Sequence, residues 1–554
     1  MVTTESTSIS ELLFPHITES PQELERRYPP RTLGEDAFVT RFAPSPTGFL
    51  HIGGLFTAMI STHLAKQSGG LCYLRIEDTD KKREVEGGIS GITESLRDFG
   101  IIFDEGVIGT GEERGGYGPY RQSDREAIYH VYAKDLVRRG LAYPCFCTES
   151  ELEAARASQE AQKLRPGCYK EWAFHRNLTL AEVKERLASG QSYVLRLRSE
   201  GSHDRHVTFS DGVKGKVTLS EHDMDIVILK SDGMPTYHFA HVVDDHLMRT
   251  THVIRGDEWL SSAPIHLQLF EMLGLEAPSY SHIAPILKQD GSSKRKLSKR
   301  KDPEAAVSYF KELGFPSEAI LEYMLGLANW TYEDWRKEHP SEERDQFRLE
   351  LDKMGSSGAL FDRIKLEDIS KQVIARMDAA EVYRHVLEWA KTFHPELAGQ
   401  LETDPDYAHA ILAIGRGAAN ARKDIAIWSD VPAYMAYFYE NESPDVAASD
   451  VPDSITTEDA VKVIEDYASV YRHTDDKDEW FSSIQQLSER HGYAGNMKQY
   501  KKEPAAYKGH VGDVSLLLRL TITGRARTPD LYDVMQVMGN ERVMARLRTR
   551  KEWT

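Results

Sequence analysis

The chain of 554 residues contains no run of about 18 apolar residues, so nothing in it predicts a membrane-spanning helix. It has only four cysteines, too few for a disulfide scaffold at this length and in keeping with a reducing compartment. The first residues lack the basic, apolar and small-residue succession of a secretory signal. Glu5, Glu11, Glu19, Glu23 and Glu25 among the early arginines are unlike a transit peptide, and a cytoplasmic protein is expected. No period of 20 to 50 residues recurs, which argues against a solenoid. Positive charge is also short: 69 Lys and Arg stand against 87 Asp and Glu, a net charge of -18. Taken as a sum, this speaks against a nucleic-acid partner. Phosphate is met by local basic stripes, however, and KRKLSKRK at 294–301 puts six cations into eight residues. On charge alone such a run reads as a solvated loop or a localisation signal.

What the chain does have is the composition of a soluble globular enzyme, 40% hydrophobic and 28% charged, with length for roughly three or four domains. Its organising stretch is RFAPSPTGFLHIGG at 41–54. An apolar extended run precedes it at 37–40. After it, Leu55, Ala58, Met59, Thr62 and Ala65 recur with helical spacing, so the stretch predicts a strand-to-helix turn. Its glycines allow close approach of backbone to a ligand, and the helix start offers N–H groups to an anion such as a nucleotide phosphate. A second strand at 71–76 completes a βαβ unit, the start of a doubly wound parallel sheet, and delivers Glu77 and Asp80 at its carboxyl end. Residues 1–36 read as a proline-dotted arm. Short alternating strands at 193–198 and 207–217 mark an insertion, and the parallel-sheet pattern resumes at 225–229, 242–245 and 252–255. Beyond about 370, strand signals are scarce and an all-α region is expected.

Motifs in fixed order over some 260 residues now carry a resemblance: RFAPSPTG with His51, Gly53 and Gly54, then LRIEDTD at 74–80, PTY at 235–237, VVDDH at 242–246, VIRGDEW at 253–259 and KLSKR at 296–300. In this set, extended by SGALFD at 357–362, GHVG at 509–512 and TGR at 523–525, the chain resembles the bacterial glutamyl-tRNA synthetases, class I synthetases. The likeness covers nearly all of the chain except the arm. It implies a Rossmann-like catalytic sheet in two halves (37–142 and 223–301), an inserted α+β acceptor-stem domain (143–222), a stem-contact helical domain (302–370) and an all-α anticodon-binding region (371–554), with 1–36 as the N-terminal arm. It implies ATP, used with Mg²⁺, and glutamate as substrates, tRNA(Glu) as partner with tRNA(Gln) as the alternative second acceptor, and a monomer.

The resemblance also distributes roles. His51, Lys296 and Lys299 are the implied catalytic residues, acting on the triphosphate, with Pro44, Ser45, Thr47, Gly53 and Gly54 around the nucleotide. Arg41 is implied for the glutamate side-chain carboxylate, Arg255 for the α-carboxylate and Glu77 for the ammonium, with Ser45 and Tyr237 assisting. Two positions depart from the family's usual pattern. Gly54 stands where the first signature usually ends in histidine, and His241 stands where some members have asparagine; His241 is expected to line the glutamate pocket. Some members hold a structural zinc in the insertion. Cys145, Cys147, Cys168 and His175 are this chain's candidates, with plain buried or surface thiols as the alternative. Arg416, Arg422, Arg519 and Arg525 are basic residues of the helical region to which no site role is given. A glutaminyl enzyme would have a β-rich C-terminal region, a tRNA-base glutamyl transferase would lack one, and a nucleotidyltransferase would need neither Arg41 with Arg255 nor the helical tail. A non-catalytic tRNA-binding descendant is disfavoured by intact His51, Lys299 and both arginines.

Overall fold

The computed structural model describes residues 4–298, 300–417, 421–440, 446 and 450–548. The chain divides into two units, one formed by residues 1–309 with 321–362 and the other by 310–320 with 363–554.

The first unit begins with α1 (Thr4–Leu13) and α2 (Pro21–Arg27). Ser20 caps α2 in a reciprocal box with Glu23, which satisfies donors at the helix start. Ile9, Leu13, Phe14, Ile17, Leu24 and Tyr28 of this arm are buried in the core of the unit, so the arm packs on the domain. The central sheet follows with β1 (Val39–Phe42), α3 (Ile52–Gln67), β2 (Leu71–Leu74), α4 (Gly88–Asp98), β3 (Glu105–Gly109) and β4 (Glu112–Arg114). β1, β2 and β3 pair in parallel and β4 returns antiparallel. Gly106 has φ of 112°, and a Cβ there would lie 2.1 Å from the Leu74 carbonyl oxygen, so the β2–β3 approach requires glycine. After α5 (Glu126–Arg138), the insertion contributes β5 (Ala142–Cys145), α6 (Glu149–Ala161), α7 (Leu180–Ala188) and β6 (Val194–Leu197). Thr148 with Glu151 and Thr179 with Glu182 form capping boxes at its two helices.

β7 (His206–Asp211) and β8 (Gly215–Ser220) make a hairpin, and β9 (Val227–Leu229) joins β5 and β6 in a small antiparallel sheet of order β5-β6-β9. α8 (Tyr237–Leu247), β10 (His252–Gly256), α9 (Ala263–Leu273) and β11 (Ser279–Ile283) complete the second half of the central domain. The Thr251 N–H donates to the Val39 carbonyl at 3.0 Å, so the segment entering β10 lies beside β1 and the chain winds outward in both directions from β1. β11 continues in parallel from β10, and the β7–β8 hairpin attaches to β11. β12 (Leu287–Asp290) and β13 (Ser293–Lys296) form a two-stranded ribbon. The sheet is thus Rossmann-like, as expected, and mixed where a parallel sheet was expected, because β4 and β8 pair antiparallel at its edges. Two local expectations are corrected. Residues 225–229 were expected to resume the parallel sheet, and β9 instead pairs antiparallel with β6, because a short apolar run suits either kind of pairing. Residues 242–245 were read as sheet and lie within α8, because the apolar pair is too short to separate strand from buried helix and the polar residues follow an i, i+4 rhythm, His241 to Asp245.

α8 carries the buried polar centre of this unit. Asp244 is fully buried and accepts from Arg125 Nε at 2.6 Å, the Tyr129 hydroxyl at 2.8 Å and Gln122 Nε2 at 2.9 Å. The arm steadies the end of the same helix, since Glu25 binds both His246 and Arg249.

The second unit is helical among its described residues, from Arg363–Arg376 through Val511–Thr523 and Leu531–Arg548. Its core contains Val386, Trp389, Leu401, Phe438, Ile484, Leu517 and Met535. The helix Ala379–Phe393 starts in an Asp378–Glu381 capping box and presents Val382, Val386, Trp389 and Ala390 inward at helical spacing.

Removing one member of a buried ion pair leaves its partner's charge uncompensated. Asp244→Ala is therefore expected to destabilise the first unit by about 3–5 kcal/mol, read as a lowered urea midpoint of its unfolding transition; an unchanged midpoint would show that the Asp244 contacts do not support the fold.

Candidate active site

A cavity of about 400 Å³ opens at the carboxyl ends of β1, β2, β10 and β11, where open α/β sheets bind ligands. His51 is the N-cap of α3, with the Gly53 N–H donating to its Nδ1 at 2.9 Å, and it also lines the cavity. Capping and site-lining coexist in this residue, because the cap fixes the ring against the turn. Gly53 and Gly54 line the same wall, and a Cβ at either would meet His51 or Leu50 at 3.2 or 3.1 Å. Arg41, Glu77, Tyr237, Arg255 and Lys296 also face the cavity, so most of the residues named from the sequence converge there. Lys296 pairs with Glu258 at 2.9 Å. Pro44, Ser45 and Thr47 lie in the β1–α3 loop beside this wall and are not among the lining residues. Lys299 lies outside the described residues.

Behind the cavity, charge is held by α8. Asp245 lies 2.5 Å from Arg75 and 3.3 Å from Arg41. Burial alone would raise its pKa, yet the two arginines hold it well below the usual carboxylate range. Arg75 also reaches Glu77 at 2.9 Å, and burial raises the Glu77 carboxyl against the pull of Arg75 and Arg41. Tyr237, the first residue of α8, packs against Trp259 with ring centroids 4.4 Å apart. His241 is fully buried one turn further on and is not among the cavity-lining residues. Its Nε2 meets the Tyr280 hydroxyl at 2.9 Å, and its Nδ1 lies 3.0 Å from Asp245. It therefore stands between the Asp245 that pairs with Arg41 and the Tyr280 ring beneath Arg255, whose guanidinium carbon lies 4.6 Å from the ring centre.

Sequence reading did not name Arg75, Asp245, His266, Tyr280 or His282. The signals that could have found them are Arg75 set between Leu74 and Ile76 and the acidic pair Asp244-Asp245 directly after two valines; nothing in the spacing marks the histidines.

In the insertion, Cys145, Cys147 and His175 bring their donor atoms within 4.8 Å of one another. Cys168 is not in this group, and its sulfur faces the Trp172 carbonyl at 3.5 Å. The Phe146 N–H donates to His175 Nδ1 at 3.2 Å, so the lone pair facing the two sulfurs is engaged by backbone here.

In the second unit, a cavity of about 570 Å³ is lined by Arg363, Lys371, Arg422, Tyr434, Arg525 and Arg527 among others. Arg416 instead binds the Leu412 and Ile374 carbonyls, and Arg519 the Pro529 carbonyl, so these two work as braces for the helices.

Residues 37–368 match the family model described as "tRNA synthetases class I (E and Q), catalytic domain", and residues 381–550 match "Anticodon binding domain". The chain belongs to the class I tRNA synthetases of this E and Q family. Within the class, it is 49% identical over 542 residues to the glutamate–tRNA ligase of Clostridium perfringens (strain 13 / Type A), covering 98% of this chain and 99% of that protein. It is 46% identical over 553 residues to the glutamate–tRNA ligase of Sorangium cellulosum, covering 95% and 97%. The crystal structure of a glutamate tRNA ligase from Elizabethkingia meningosepticum in complex with its amino acid superposes with a TM-score of 0.74 at 29% identity, covering 93% of this chain and 98% of that one. The Rossmann-like sheet is accordingly the catalytic domain, the insertion its β-sheet acceptor domain and the helical region the anticodon-binding part. No helix among the described residues is long and apolar enough to cross a membrane.

Burial holds His238 down to about 4 and His241 to about 3, and lowers His282, each beside Arg255. The unfolded chain binds these protons below about pH 6.5 and the folded one does not, so stability falls as pH drops from there toward 4. Each such imidazole removes up to about 1.4 kcal/mol per pH unit. His238→Gln is expected to flatten the pH dependence of the first unit's thermal unfolding between about pH 7 and about pH 5; identical slopes would exclude His238 as a contributor.

Proposed function

We propose that the chain is a glutamate–tRNA ligase. The observation that carries this reading is the convergence of two buried arginines, Arg41 and Arg255, with Glu77 on one cavity that also holds the His51-Gly53-Gly54 turn. Glutamate presents two carboxylates and one ammonium, and this wall offers two cations and one anion. The turn beside it suits ATP. In the first step, a glutamate α-carboxylate oxygen attacks the α-phosphorus of ATP, the bond to the bridging oxygen breaks, and pyrophosphate leaves with the electron pair. In the second, the 2′-hydroxyl of the terminal adenosine of tRNA(Glu) attacks the acyl carbon, its proton is lost and AMP departs.

On this reading Arg41 takes the side-chain carboxylate, Arg255 the α-carboxylate and Glu77 the ammonium, with Ser45 and Tyr237 assisting. An arginine fork matches a carboxylate in two hydrogen bonds, and both forks are preset by burial. His51, Lys296 and Lys299 act on phosphate oxygens as negative charge moves to the leaving pyrophosphate, while Pro44, Thr47, Gly53 and Gly54 shape the nucleotide wall. Mg²⁺ would neutralise the triphosphate with which it binds. In the second unit, the arginine-lined cavity with Tyr434 suits an unstacked anticodon base, since loops of RNA are read by stacking and by arginine.

Charging purified tRNA(Glu) and tRNA(Gln) with labelled glutamate tests the reading. Label on tRNA(Glu) is expected, and its absence would overturn the assignment; label on tRNA(Gln) as well would define the non-discriminating form. Arg41→Ala should raise the glutamate KM about tenfold or more with the ATP KM little changed, because a charge-assisted contact is lost. His51→Ala should lower kcat on the order of a hundredfold.

For the insertion, a structural zinc held by Cys145, Cys147 and His175 is the reading supported by two sulfurs and an imidazole converging in zinc's preferred donor chemistry. Bound there, the ion would brace the start of α6 against the loop bearing His175. About one equivalent of zinc per purified chain is expected by metal analysis; less than about a tenth would exclude the site.

A further inference from the structure

Arg255 differs from the other buried arginines of the site. Arg41, Arg75 and Arg125 each pair with a carboxylate of α8. Among the described residues, no carboxylate pairs with Arg255, although only 4% of it is exposed. Its Nε–H donates to His282 Nε2 at 2.9 Å, one terminal nitrogen meets His266 Nδ1 at 3.1 Å, and the other points to the Trp259 carbonyl at 3.4 Å. Guanidinium can only donate, so both imidazole nitrogens must offer lone pairs and both rings must be neutral in one defined tautomer.

For His282, the tautomer has a visible cause. Its Nδ1 lies 2.6 Å from Asp211 Oδ2, so Nδ1 carries the proton and Nε2 keeps the lone pair that faces Arg255. Asp211 is itself immobilised. Its Oδ1 accepts the Val213 and Lys214 N–H groups at 3.0 and 2.9 Å, and the His282 N–H lies 3.2 Å from each oxygen. Asp211 ends β7 and pairs in register with Tyr280 of β11, and a Cβ at the next residue, Gly212, would lie 2.3 Å from Ser281 Oγ. The hairpin therefore sits close against β11, and this contact delivers the carboxylate to the histidine.

We propose that the Asp211–His282 pair is a tautomer lock that positions Arg255, making Asp211 and His282 positioning residues of the glutamate site. The lock aims the Arg255 fork without neutralising it, so the full guanidinium charge stays available to a ligand carboxylate. A protein carboxylate in direct contact would hold the fork equally well but would compete for the same charge. Placing the anion one imidazole away separates orientation from neutralisation. The inference rests on the reading of Arg255 as a carboxylate-binding residue.

The test is aminoacylation of tRNA(Glu) by the full chain, with KM for glutamate and for ATP, kcat and thermal midpoint measured for R255A, D211N, H282L and H282Q. In D211N, the backbone N–H pair claims the amide oxygen and turns the NH₂ toward His282. This reverses the tautomer and sets an N–H against Arg255. D211N and H282L are expected to raise the glutamate KM tenfold or more, leave the ATP KM within about threefold and shift the midpoint little, as loss of one charged hydrogen-bond contact would. H282Q, whose amide oxygen reaches the Nε2 position as an acceptor, is expected to return the glutamate KM to within about threefold of the parent. A rise with R255A but none with D211N and H282L would overturn the lock, and H282Q no better than H282L would overturn the acceptor role. A parallel rise of both KM values with a fallen midpoint would reduce the pair to fold support and so also overturn it. No rise with R255A would instead overturn the reading of Arg255 on which the inference stands.

Discussion

The adjacent acids Asp244 and Asp245 are the constraint on which the catalytic unit depends. Neighbours on a helix point about 100° apart, so the two carboxylates address different surroundings. Asp244 gathers Arg125, Tyr129 and Gln122 from the α5 region, and Asp245 gathers Arg75 from the end of β2 and Arg41 from β1. Three buried arginines are tolerable in a low-dielectric interior only beside carboxylates that compensate them, here Asp244, Asp245 and Glu77, which Arg75 also reaches. The set fixes the height of α8 against the sheet, and that in turn places Tyr237 at the cavity. The N-terminal arm contributes from outside through Glu25, which binds His246 and Arg249 on the turn that follows the two acids.

Much of this was legible in the sequence because it is local. The turn at 41–54 shows its prolines and glycines, and helical spacing begins directly after them. The capping box at Asp378 and the helical rhythm of Val382, Val386 and Trp389 are likewise readable without a fold. His51, Arg41, Glu77 and Arg255 were named through a resemblance carried by ordered motifs, and all four face the cavity. What escaped is non-local. Residues 242–245 were read as sheet, since four residues containing two valines do not distinguish a strand from the buried face of a helix. His241 was expected at the ligand. It instead lies buried between Asp245 and Tyr280, partners distant from each other along the chain. Cys168 was grouped with the other cysteines by proximity in sequence, and its sulfur faces the Trp172 carbonyl. Asp211 gave no signal at all, because its role exists only once β7 is laid beside β11.

Net charge was similarly uninformative about tRNA. The sum of -18 is spread over the whole chain, whereas arginines gather in the helical unit's cavity, and of the four basic candidates there only Arg422 and Arg525 face it. Arg416 spends its donors on the Leu412 and Ile374 carbonyls of two helices and Arg519 on the loop carbonyl of Pro529, uses that look identical in sequence. Which cations face that cavity is thus a property of the fold and not of composition, and Arg422 does so while paired with Asp424.

The same distinction separates the two glutamate-site arginines. Arg41 shares its charge with Asp245, while Arg255 is held by neutral rings. A ligand that left Arg255 without an anion would leave a buried charge uncompensated, at a cost of about 3–5 kcal/mol, or roughly two to four orders of magnitude in binding. Arg41 would lose less, because Asp245 remains beside it. On the proposed roles, the site should therefore demand the α-carboxylate more strictly than the side-chain one. The α-carboxylate is common to all amino acids and is the group that reacts, so strictness there enforces alignment for attack on ATP. Selection of glutamate over its amide then falls to the Arg41 side, where the difference between a carboxylate and a neutral amide is read against a charge already half satisfied.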